Sequence, residues 1–106
     1  MTVDELVNRA FRTARDHGWH EKERNIGELV ALMHSELSEA LEEHRNGRML
    51  VYYVNGKPEG FGIELADCVI RIADTCGLLG IDLDDCIAKK MAFNDTREYR
   101  HGGKIA

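Results

Sequence analysis

A chain of 106 residues with 19 acids against 14 bases, and so a formal net charge of −5, has the size of one domain and not of two. Its mixed, mildly acidic charge argues against a nucleic-acid polymer or an anionic membrane surface as partner. No apolar run approaches the roughly 20 residues of a membrane span. Met1-Thr2-Val3-Asp4-Glu5 has neither the basic nor the apolar stretch of a secretion signal, so the expected setting is cytoplasmic.

Thr2-Val3-Asp4-Glu5 reads as a capping box, and Val3, Leu6, Val7, Ala10, Phe11 and Ala14 follow at helical spacing, with Gly18 as the stop. Asn25, with Glu28 three residues on, caps a second helix. Its apolar face is Ile26, Leu29, Val30, Met33, Leu37, Ala40 and Leu41, and Gly47 ends it. Leu50 to Val54 favours an extended strand, Asn55-Gly56 is a hairpin turn, and Lys57 to Phe61 is the return. A third helix is predicted from about Ile63 to Cys76, ending near Gly77 or Gly80. It is apolar nearly all round, which suits the middle of a bundle.

Asp82 caps a fourth helix bearing Leu83, Cys86, Ile87 and Met91, and residues 96–106 form a polar tail expected to be mobile. The whole is an all-α chain, a single domain built as a four-helix bundle with a short hairpin or loop insert between helices 2 and 3. Cys68, Cys76 and Cys86 lack a Cys-x-x-Cys spacing and are expected to be reduced, buried core residues.

The functional signal is a repeated pair of acids. Glu36 and Glu39 lie three apart on the second helix, with Glu43 in the same sector; Glu64 and Asp67 lie three apart on the third, in a polar strip with Arg71 and Asp74. The plainer reading is two solvated faces, with Asp67 and Arg71 a favourable i,i+4 pair. Against it, both stripes border apolar surface. On neighbouring antiparallel helices the four carboxylates converge where like charges repel and lose hydration.

A divalent cation removes both problems. An all-oxygen donor set is hard and suits Mg²⁺, or Mn²⁺. Zinc fits poorly without a Cys/His cluster, and a di-iron bundle wants two Glu-x-x-His motifs where only Glu98-x-x-His101 exists. Mg²⁺ keeps open positions that it shares with phosphates, so the pattern points to phosphate chemistry.

The pattern Glu-x-x-Glu, a spacer of 24 residues, then Glu-x-x-Asp resembles the MazG-like all-α nucleoside triphosphate pyrophosphohydrolases. The stretches HSELSEALEEHRNG, KPEGFGIELADCVIRIAD and KKMAFNDTREYRHGGK are similar to a small single-domain branch of that family, from Trp19 to Lys104. The resemblance implies hydrolysis of a (d)NTP to (d)NMP and pyrophosphate, with Glu36, Glu39, Glu64 and Asp67 holding Mg²⁺ and Glu39 or Glu43 taking a proton from the attacking water. Lys90, Asn94 and Arg97 share a helix face, and the resemblance favours Lys90 and Asn94 as nucleotide contacts. Trp19, Lys57 and Lys104 are further candidates: a stacking ring, a loop cation and a cation in a glycine-rich flap. Each has a plainer role in packing or as a solvated side chain, and His34 is expected to face away from the carboxylates. The nearly all-apolar third helix and the resemblance together imply a homodimer or a dimer-of-dimers tetramer. The rival readings are a non-catalytic helical module that binds a nucleotide or protein, and a pyrophosphohydrolase of a phosphoribosyl nucleotide.

Overall fold

The computed structural model describes residues 1–97. Four helices and one two-stranded ribbon follow in the order α1 (Val3–Asp16), α2 (Ile26–Arg45), β1 (Tyr52–Val54), β2 (Lys57–Glu59), α3 (Phe61–Leu79) and α4 (Leu83–Asp95). At this level the all-α reading holds. Among the described residues, no helix is long and apolar enough to cross a membrane.

α1, α2 and α4 each start where a side chain can satisfy a free backbone N–H, whereas α3 starts after Gly60 with no side-chain cap. Thr2 Oγ1 accepts from Glu5 N at 3.1 Å and donates back to the Glu5 carboxylate at 3.2 Å. Asn25 accepts from Glu28 N and Asp82 from Asp85 N, both at 3.1 Å. α3 begins at Phe61, two residues earlier than the periodicity suggested. The Phe61 N–H donates to Arg48 O at 3.0 Å, which ties the helix start to the segment leading into the hairpin.

That helix also ends later than its first candidate glycine. Gly80 is the stop, in the left-handed conformation at φ 69°. Gly77 stays inside the helix for a packing reason: a Cβ there would meet Phe11 Cβ at 2.6 Å. α1 and α3 therefore approach more closely than any larger residue allows.

The hairpin is shorter than expected, three residues a side, with Tyr52 opposite Glu59 and Val54 opposite Lys57. Asn55 at φ 52° and Gly56 at φ 81° make the turn that the Asn-Gly pair favours.

α3 lies between α1 and α2, as its apolar surface suggested, while α4 packs on α1 and buries no residue of its own. The buried apolar residues are few and mostly small: Val7, Leu29, Ala40, Cys68, Ala73 and Cys76. Val7, Ala73 and Cys76 form the α1–α3 core, with Leu6, Ile72 and Leu83 against it. Two expectations change here. Cys68 and Cys76 are buried but Cys86 is exposed, because α4 buries none of its residues and only Leu83, at its start, packs against the core. The long apolar face of α2 is only half used: Leu29 and Ala40 are buried, whereas Ile26, Val30, Leu37 and Leu41 are exposed. An advance of about 100° per residue sets those four within one sector beside the buried stripe.

Candidate metal centre

Glu36 on α2 and Glu64 and Asp67 on α3 each bring one carboxylate oxygen to within 4.8 Å of the others. Glu36 is 6% exposed and Glu64 5%. Carboxylates are rarely this buried unless something compensates them. Helical geometry explains the meeting: α2 and α3 are packed neighbours, and each acid lies at the edge of the stripe its helix buries.

Compensation is incomplete. Arg71 donates its Nε to Glu36 Oε1 at 2.7 Å. Glu64 Oε2 is fully buried and has no hydrogen-bond partner. Burial, then the carboxylates of Glu39, Asp67 and Glu59, push the Glu64 carboxyl up to about 8. Asp67 is raised as well, by burial first and by Glu36 next, against the lowering pull of Arg71 and Lys57. An orphaned buried oxygen, beside two more carboxylates and with neither sulfur nor imidazole in the group, is a donor set that fits a hard divalent cation.

The other sequence candidates divide by position. Glu39 and Glu43 line the same cleft of about 930 Å³, as do Trp19 and Lys57. Glu39 is exposed and sits beside Glu64 without joining the converging three. The Glu43 carboxylate is engaged by the Tyr52 hydroxyl at 2.8 Å and by Arg48 at 3.6 Å, which fastens the hairpin to α2. Lys57 pairs with Glu59 at 3.3 Å. Its ammonium is held above its ordinary range by Glu59 first, and Glu64 and Asp67 add to the effect.

Trp19 is exposed at the cleft, its carbonyl accepting from Arg24 at 2.9 Å. Lys90, Asn94 and Arg97 are exposed on and just after α4 and do not line this cleft; the Lys90 and Arg97 cations lie over the Phe93 ring. Lys104 and the tail from residue 98 onward, including Glu98 and His101, lie outside the described residues.

Three features escaped the sequence reading. Arg71 reaches across to Glu36 where the i,i+4 rule offered Asp67. Glu59 joins the acidic group from the hairpin, and only the acid itself signalled it. His20 Nε2 meets Asp74 Oδ1 at 2.6 Å, stacked on Phe11, and so pins the α1–α2 connection to α3. Comparison with family models, curated proteins and solved structures gives no match for this chain.

Proposed function

We propose that the chain is a Mg²⁺-dependent nucleotide pyrophosphohydrolase of the MazG-like kind, converting a (d)NTP to (d)NMP and pyrophosphate. The carrying observation is Glu64: a buried carboxylate with an unpartnered oxygen, facing Glu36 and Asp67 across a gap of cation size. Glu36, Glu64 and Asp67 would hold the cation. When bound, it would neutralise charge on the phosphates and lower the pKa of a water. Glu39, exposed beside Glu64, would accept that water's proton. The water oxygen attacks the α-phosphorus, the bond to the α–β bridging oxygen breaks, and pyrophosphate leaves.

A cleft of about 930 Å³ falls within the usual range for small-ligand sites. Exposed Trp19 offers a stacking surface on its wall, and Lys57 a cation. The exposed sectors of α2 and α3 support a second copy of the chain as the partner.

Incubation with each (d)NTP and Mg²⁺, followed by separation of products, tests the reading. Monophosphate and pyrophosphate are expected. Diphosphate with orthophosphate, or no turnover of any nucleotide, overturns it.

A further inference from the structure

Arg71 occupies an unusual position for a cation at a cation site. Its Nε lies 2.7 Å from Glu36 Oε1, and Glu36 is one of the three converging carboxylates. The Arg71 side chain is nevertheless 42% exposed, and it lines the cleft. The bond to Glu36 uses one of the five N–H donors of a guanidinium, so four can serve other acceptors. A guanidinium matches the geometry of phosphate oxygens better than an ammonium does.

The two cations that Glu36 would serve are in conflict. A divalent ion among Glu36, Glu64 and Asp67 would share a carboxylate with Arg71 and repel it. The buried Glu64 Oε2 has no hydrogen-bond partner, so an acceptor remains that the present arrangement does not satisfy. Arg71 stands on α3, one turn beyond Asp67, and can leave Glu36 without leaving the cleft it already lines.

We propose that Arg71 is a tethered counter-cation, displaced from Glu36 when a divalent ion binds, and that the freed guanidinium then holds oxygens of the incoming polyphosphate. This rests on the metal-dependent phosphate reading above and adds the residue that couples the two binding events. Metal entry prepares the phosphate clamp, and polyphosphate binding keeps the guanidinium off the metal ligand. By linkage each ligand therefore tightens the other.

The test uses two probes with the intact protein: Mn²⁺ alone, and inorganic triphosphate with Mn²⁺ present, both followed by calorimetric titration. Arg71→Gln removes the competitor, so Mn²⁺ binds several-fold tighter than to the parent protein. The same variant binds triphosphate about tenfold more weakly, the loss expected of a charge-assisted contact. Arg71→Lys keeps the charge and loses the fork, so Mn²⁺ affinity stays near that of the parent while triphosphate affinity falls. Circular dichroism shows whether each variant keeps its helices.

A residue that only supported the fold would weaken both ligands together. Unchanged or weaker Mn²⁺ binding in Arg71→Gln, or unchanged triphosphate binding, overturns the assignment, as does a parent protein that binds no Mn²⁺. Both affinity shifts without hydrolysis of any nucleotide would sink the pyrophosphohydrolase reading and leave the role of Arg71 standing.

Discussion

Glu64 holds its proton more tightly in the fold than it would in an unfolded chain: its carboxyl rises from 4.5 to about 8. The consequence for stability runs opposite to the usual acid. A raised folded pKa contributes stability that is full below about pH 4.5 and is lost as pH climbs through about 8. A cation that needs the ionised carboxylate gains over the same window, because it competes with that proton. Thermal unfolding of the metal-free protein is therefore expected at a lower temperature at pH 8.5 than at pH 5.5, and Mg²⁺ should raise it more at the higher pH. Glu64→Gln should flatten both trends and cut turnover roughly a hundredfold or more, as loss of a preorganised charge does. Identical pH profiles in the parent and the variant would remove Glu64 from this role. That Glu36, Glu64 and Asp67 share one neighbourhood was legible from helical periodicity, because an acid's position on a helix face follows from its number, while Glu39, expected with them, stands beside the group. The partner of Arg71 was not legible, because Asp67 and Glu36 compete for it and only the register of α2 against α3 decides between them.

Among the elements, helix starts were the most readable feature. Thr2, Asn25 and Asp82 cap where their residue types demand, through bonds that involve only local chain. Ends were harder. Gly77 and Gly80 look alike in sequence, yet one is forced by φ and the other by Phe11 pressing from α1. Gly77→Ala tests that difference. Alanine improves helix propensity by about 1 kcal/mol, but the new methyl faces Phe11 Cβ at 2.6 Å, a backbone-adjacent atom that moves only with its helix. We expect a net loss of about 1–3 kcal/mol in chemical denaturation, as overpacking typically costs. A neutral or stabilised variant would show that α1 yields easily. The hairpin turn was legible from Asn55-Gly56, but three-residue strands give too little alternation to say which way the ribbon leans. Glu59 was missed for that reason.

On the scale of the molecule, the described chain is more spread out than its length warrants. The radius of gyration is 16.4 Å, against about 13 Å for a compact domain of a hundred residues. α4 is applied to α1 with none of its residues buried, and the exposed apolar sector of α2 borders its buried one. Both fit the proposal that a second copy of the chain covers this surface. Light scattering at micromolar concentration is expected to give a multiple of the 12.0 kDa chain mass. Leu41→Glu should shift it to a single chain, with lower thermal stability. A parent protein of one-chain mass would count against the homo-oligomer. Composition and hydrophobic patterning exposed the surplus of apolar surface on α3, but the surplus on α2 was concealed. A stripe that faces a neighbouring helix and one that faces nothing have the same period.

Among the described residues, two of the nine buried side chains are those of Glu36 and Glu64. The buried interior is thus partly made of the carboxylates proposed to hold the ion, beside a small apolar core between α1 and α3. Under the proposed function, folding and chemistry would draw on the same few atoms, and an ion seated among them would act as a staple as well as a reagent. Chelation would then loosen the molecule while silencing it, and an inherited change that retuned the chemistry would have to be survivable first as a change in the architecture.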